Sequence, residues 1–397
     1  MTKVFSLYFF ALITYKLYQS VKDIPKQPWD DISSNDIFLK TPYLEASSKA
    51  LPKTISMSYV GVFKDHQLLG VAVVQHVQLY LKDMFRREGA SCFKEAIQNF
   101  VSKFLKGHIL VVGNLTHTGQ HGLFFNESLI TSSEFLTIIF EAIEEIQKTI
   151  KKDYKKTIRL ILFKDFFEND PIHKEHMAFK AQKFHKLKVQ PNMLMAIKES
   201  WLSVQDYLNT MTTKYRARYY RARKKRTNIF IRELDLNTLK KTSSTVYNLY
   251  LNVSKNAAFN TFVLPENHFW SLKEHLEDNF KVFGYYFEED LIGFYSLILN
   301  NDCIETYFLG YETNHQHTNQ LYLNMLYDMA EYAIKNKFKT VVYARTAMEI
   351  KSSVGAKPET MYMYLKYTNP LVNSVLKQVF RFMNPSQQWE ERHPFKN

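Results

Sequence analysis

Cysteine is almost absent: Cys92 and Cys303 are the only two in 397 residues. That excludes a disulfide framework, and without a CxxC spacing it also excludes the common zinc and redox motifs. Reduced thiols and a cytoplasmic location are expected. Glycine and proline number only 11 each, and an aromatic share of 15% argues against disorder over most of the length. No hydrophobic run approaches the roughly 20 residues of a spanning helix. The best candidate, Val4 to Tyr15 in "KVFSLYFFALITYK", is too short to cross a bilayer, and "YKLYQS" after it has no small-residue cleavage pattern. This apolar segment, 1–24, is expected to lie on the first domain as helix or strand, with interfacial membrane contact as the second reading. A nucleophile elbow, a Walker loop and a dinucleotide fingerprint are all missing. Histidine pairs at 117/121, 173/176 and 315/317 lack a third ligand at a recognised spacing, so no metal is expected. Acidic residues are also short, 39 against 52 Lys and Arg, leaving a formal net charge of +13. The expected partner is therefore anionic: nucleic acid, anionic lipid or a phosphorylated small molecule.

What is present is a globular composition, 46% hydrophobic, in a chain too long for one ordinary core; two domains are expected. An internal repeat supports this. "GVFKDHQLLG" (61–70) and "GYYFEEDLIG" (284–293) share Gly-x8-Gly, an aromatic before a charged turn and two aliphatic residues before the second Gly. Each reads as a β-hairpin, with Asp65 and Asp290 as turn residues. The first is followed by an amphipathic helical stretch near 92–105, the strand "HILVVG", a helix near 132–151 and the strand "IRLILF"; the second by "CIETYFLG", a helix near 318–336 and "KTVVYA". Thr131 and Glu134 have capping-box spacing, and Ile139, Ile143, Ile146 and Ile150 share one helix face. The order of elements occurs twice, with a boundary near Pro191: a first domain over 25–190, a second over 191–368, and a C-terminal amphipathic helix and tail over 369–397.

"KYRARYYRARKKR" (214–226) holds eight cations and three tyrosines. On a helix over 203–226, started by the box Ser203–Asp206, Lys214, Arg218, Arg221 and Lys225 form one stripe, and Tyr215, Tyr219 and Ala222 the next. With no acidic partner nearby, like charges at i,i+4 repel, and an anionic ligand or membrane is expected to relieve them. A basic surface cluster gains about 1 kcal/mol per cation near an anionic leaflet. The apolar side of "PLVNSVLKQVFRFM" (370–383) either closes the second core or adds to such a contact.

The duplicated unit, the basic helix opening its second copy and "ARTAMEIKSSVGAKP" (344–358) resemble the FemAB-like branch of the GNAT superfamily, whose Lys-then-Gly mark falls on Lys351 and Gly355. "GNLTHTGQHG" and "PNMLMAIKESWLSVQDYL" are similar to segments of this branch. The resemblance implies an α+β fold of two tandem GNAT-like domains, each a mixed, mainly antiparallel sheet flanked by helices. It also implies transfer of an acyl group to an amine, with acyl-CoA or acyl-carrier-protein as co-substrate rather than a tightly bound cofactor. Such chemistry needs a base and donors facing an oxyanion. The candidates are Lys351 beside donor phosphates or the oxyanion, and Glu305, Tyr307, Glu312 and His315 around the last core strands. Lys214, Tyr215, Arg216, Arg218, Arg221, Lys225 and Arg345 are candidates for anion binding. "ETNHQHTNQ" lacks the Gly-rich pyrophosphate turn of ordinary GNAT enzymes, whereas Gly113, Asn114, Gly119 and Gly122 of the first copy offer an anion-binding concavity. Three functions are compatible with these residues: an N-acyltransferase acting on a lipid-like or anionic amine at the inner face of the membrane, a FemAB-type transferase using aminoacyl-tRNA, and a non-catalytic binding module.

Overall fold

The computed structural model describes residues 13–33, 35–79, 107–255, 262–383 and 389–396. Cys92, most of the apolar segment before Tyr15 and the helix expected near 92–105 lie outside them. The strands are β1 (Thr14–Tyr18), β2 (Ile55–Lys64), β3 (Gln67–Leu79), β4 (Gly107–Val112), β5 (Leu123–Phe125), β6 (Ile158–Phe167), β7 (His185–Ala196), β8 (Ile229–Glu233), β9 (Phe280–Phe287), β10 (Asp290–Asn300), β11 (Cys303–Tyr311), β12 (Thr340–Val342) and β13 (Lys357–Tyr367). All belong to one sheet, in the order β1-β2-β3-β4-β6-β13-β7-β12-β11-β10-β9-β8, with β5 paired to β3 off this path.

The repeat is explicit in this order. β1 to β4 and β6 correspond to β8 to β12, antiparallel throughout until a final parallel pair, β4 with β6 and β11 with β12. Each parallel pair needs a crossover. The helix Ser132–Tyr154 supplies the first, started by the Thr131–Glu134 capping box, with all four isoleucines of its stripe buried. The helix Leu321–Lys335 supplies the second and is buried on nearly every side. The hairpin turns are Asp65–His66, both at positive φ, and Glu288–Glu289; Asp290 already belongs to β10, paired with Phe287.

The closing strands of the two units are exchanged. β7, which follows the first unit, pairs with β12 of the second, while β13, which ends the second, pairs with β6 of the first and with β7. Pro191, the expected boundary, falls inside β7. The helices Thr41–Lys49 and His268–Leu276 meet across the pseudo-symmetry, where His268 Nδ1–H donates to the Ala50 carbonyl at 2.9 Å and Ser271 Oγ to Ala46 at 3.2 Å. One hydrophobic core accordingly draws Trp29, Phe38 and Tyr43 from one half and Leu249, Phe269 and Phe294 from the other.

The basic run departs from expectation. The Ser203–Asp206 box caps only the helix Val204–Thr210; the chain then breaks at Met211, and the basic helix is Thr213–Lys225. The break is held by the C-terminal tail, where Thr212 N–H donates to the Pro394 carbonyl at 2.8 Å and Phe395 packs on Trp201 and Tyr207. Nor are the cations all without acidic partners. Arg223 pairs with Asp328 and Glu331, and Arg226 with Asp328, from the helix Leu321–Lys335. Tyr215 is 7% exposed and lies in the core with Tyr219 and Ala222, which removes it from the anion-binding set.

Candidate active site

Two parallel strands that part after a few pairs leave a split in a sheet, and this chain has two such splits. In the first, β4 and β6 pair as far as Val112 and Phe163. The next residue of β6, Lys164, fills the gap: its ammonium donates to the carbonyls of Asn114 at 2.8 Å and His117 at 2.7 Å and pairs with Asp165 at 2.9 Å. Burial and the nearby Arg345 pull its pKa well down, while three acceptors hold its protons. In the second split, β11 and β12 part after Glu305 and Val342. The position corresponding to Lys164 is Tyr343, which turns away and donates to the Leu326 carbonyl at 2.7 Å. Thr306 to Leu309 are half-buried although β11 is an interior strand, because their neighbour on one side has gone.

β11 also carries a bulge that β4 lacks. Tyr295 faces Leu309 and Leu297 faces Thr306, so Ser296 alone opposes both Tyr307 and Phe308. A bulge removes one residue from the ladder and re-aims its backbone N–H, here beside the open split. Ser296 Oγ fixes it by donating to the Phe308 carbonyl at 2.6 Å.

Glu305 stands at the mouth of this split, and the first half reaches over to it. His121, from the loop after β4, donates Nδ1–H to Asp36 at 2.9 Å, and its Nε2 lies 3.9 Å from Glu305 Oε1. Asp36 is held in turn by Phe38 N–H at 3.1 Å and by the Asn300 side chain at 3.3 Å. Burial, with Asp36 adding to it, raises the Glu305 pKa to about 7, against the lowering effect of His121. For His121, burial lowers the pKa, but Asp36 and Glu305 outweigh it and the net shift is upward. Tyr307 has a defined direction as well. His268 uses Nδ1–H on a carbonyl and is kept neutral by burial, with a pKa of about 4, so its Nε2 accepts the Tyr307 hydroxyl proton at 2.9 Å.

The remaining candidates divide. Lys351 does not offer its ammonium to a ligand: it is 4% exposed and donates to the carbonyls of Arg345 at 2.6 Å and Ala344 at 3.2 Å, with burial lowering its pKa to about 7. Gly355, at φ +111, leaves room for the Phe395 ring, 2.5 Å from where a Cβ would stand. Arg345 pairs across the two halves with Asp165, a carboxylate it shares with Lys164, and its Nε is buried with no hydrogen-bond partner among the described residues. The glycine loop of the first copy forms no anion cradle. Gly122 and Gly113 are glycine because the loop folds onto itself, a Cβ on Gly122 falling 2.2 Å from the Gly113 Cα, and Gly119 N–H donates to Asp165. Asn114 is occupied by Gln75, Thr116 and Tyr43. Glu312 and His315 lie past the far end of β11, about 20 Å along the strand from Glu305 at the usual rise. Glu312 is exposed, and His315 bonds Asn319 at 3.1 Å against Phe287. Lys214, Arg221 and Lys225 are exposed, Arg216 and Arg218 are half-buried, and none has an ion pair with a described residue. Asp36, Lys164 and Asp165 carry no sequence signal, being placed only by contacts between distant segments.

No protein-family model and no curated protein sequence matches the chain. Its fold does have solved counterparts. FemX superposes with a TM-score of 0.55 at 13% identity, over 89% of this chain and 98% of that one. A tandem GNAT protein from the clavulanic acid biosynthesis pathway superposes with a TM-score of 0.51 at 10% identity, over 90% of this chain and 99% of that one. The exchanged, duplicated α+β sheet is therefore the tandem GNAT fold in its FemAB-like form.

Proposed function

We propose that the chain is an N-acyltransferase that moves an acyl group from a CoA or carrier-protein thioester to an amine, and that the donor lies in the split between β11 and β12. The observation that carries this reading is the bulge at Tyr307–Phe308 beside Glu305 in an open split. A bulge N–H can donate to the thioester carbonyl as it becomes an oxyanion. Glu305, with a pKa near 7, is suited to take the amine proton as nitrogen adds to the carbonyl carbon. Collapse of the adduct breaks the C–S bond, and the leaving sulfur takes a proton, giving amide and thiol. Lys164 leaves no such slot in the first half.

The acceptor in this reading is an amine on an anionic or lipid-like precursor, brought to the cytoplasmic face of a membrane by the exposed cations Lys214, Arg221 and Lys225. Among the described residues no helix is long and apolar enough to cross a membrane. The same cations suit the phosphates of aminoacyl-tRNA, the donor of a FemAB-type reaction. The test is release of free thiol from acyl-CoA and acyl carrier protein across a panel of amines, with charged tRNA as a parallel donor. Amine-dependent release that falls at least about a hundredfold in Glu305→Gln supports the reading. Release in neither arm, or full activity in Glu305→Gln, overturns it.

A further inference from the structure

Resting on that reading, the geometry points to a base that is assembled by both halves: His121 and Asp36 of the first copy are positioning residues for Glu305 of the second. The first copy has no slot of its own, since Lys164 closes it, and it has no bulge in β4. Its loop is nonetheless rigidly built. Gln120 Oε1 accepts the N–H groups of Gly122 at 2.9 Å and Leu123 at 3.0 Å, Gly113 and Gly122 meet back to back, and Val73 bonds both, at 2.9 and 2.8 Å. What this rigid loop holds out toward the other half is His121.

The chain of contacts has one polarity. Asn300 and Phe38 N–H fix Asp36, Asp36 accepts a hydrogen bond from the His121 Nδ1–H, and Nε2 is thereby turned to Glu305. The 3.9 Å between Nε2 and Oε1 is an ion-pair distance rather than a hydrogen bond. An imidazolium there favours the Glu305 carboxylate, the form that accepts a proton from the amine; the same proton later leaves with the thiol, so the relay is unchanged after one turnover. Glu305 faces His121 and Asp36 from the first half and Cys303 on its own strand. His121 faces Asp36, Glu305, His117 at 5.1 Å between rings, and Lys164. Phe38 lies against both histidine rings, at 4.2 and 4.4 Å, and limits their rotation.

Two measurements decide the matter. In the first, kcat/KM for amine-dependent thiol release is followed against pH. The wild-type limb is expected to rise through about pH 7, where the raised Glu305 pKa lies. Without the imidazolium Glu305 holds its proton longer, so His121→Gln should move that limb upward by about one unit: roughly tenfold slower at pH 6.5 and converging with wild type above pH 9. A limb that stays in place, or a loss equal at every pH, refutes the relay while leaving the acyltransfer reading intact. The second needs no turnover. The ring resonances of His121, assigned through His121→Gln, should titrate above the ordinary histidine value in the full-length protein and fall in Asp36→Asn. Titration of His121 at an ordinary value, unmoved by Asp36→Asn, overturns the inference even where no transfer is detected.

Discussion

Lys351→Met should make the protein more stable at neutral pH and less stable at alkaline pH. Lys351 is 4% exposed, and burial lowers its pKa from 10.5 to about 7. In the unfolded chain the amine stays protonated up to its ordinary pKa, so between about 7 and 10.5 the unfolded state binds more protons than the folded one. Stability contributed by this group therefore rises with pH across that window. At about 1.4 kcal/mol per unit, the handicap at pH 7 is about 4 kcal/mol, and it vanishes above pH 10.5. Against this, the neutral amine donates to two carbonyls, Arg345 and Ala344, contributing about 2 kcal/mol together. Methionine fills the same space without either effect. The variant is thus expected to be about 2 kcal/mol more stable at pH 7 and about 2 kcal/mol less stable at pH 10.5, crossing near pH 8.5 to 9. Urea denaturation of both proteins at unit steps of pH measures this directly, because the difference cancels every other titrating group. Parallel curves would refute the argument and mean that the ammonium remains charged in its carbonyl cage.

Arg223→Met leaves Glu331 and part of Asp328 unmatched in a half-buried interface between the basic helix and Leu321–Lys335; a loss of about 3 kcal/mol in urea denaturation is expected. Gly122→Ala places a Cβ against the Gly113 backbone, so the loop must open: we expect at least about 2 kcal/mol of destabilisation, with thiol release falling in step as His121 shifts. Arg221→Glu with Lys225→Glu removes exposed cations that have no ion pair with a described residue, so the melting temperature should hold while flotation with phosphatidylglycerol vesicles falls at least tenfold. Undiminished flotation would remove the basic helix from any membrane contact.

Periodicity made one level of this structure readable. The hairpins, the capping boxes at Thr131 and Ser203 and the isoleucine stripe are local patterns, written within about 20 residues of chain, and setting such patterns side by side reveals the doubled order of elements. That Glu305 and Tyr307 alternate on one strand was also legible. What joins the halves was not. Asp36, His121 and Glu305 are separated by most of the chain, and His121 stood out only as one of several paired histidines with no third ligand at a recognised spacing. The partners of Arg223 and Arg226 arrive from Asp328 and Glu331, which is why a run that looked uncompensated has two of its eight cations paired. Lys351 fitted a family mark, yet its surroundings, two carbonyls and no solvent, follow from how the chain turns with Ala344, Thr346 and Ala347 at positive φ.

The exchange of β7 and β13 bears on how the polypeptide is made. Until residues 357–367 have left the ribosome, β6 and one side of β7 are raw edges without a hydrogen-bonding neighbour. A gene cut at the apparent midpoint would yield two fragments, each missing the strand that seals it. Sticky, aggregating halves are expected, and co-expression of the two should restore a soluble heterodimer.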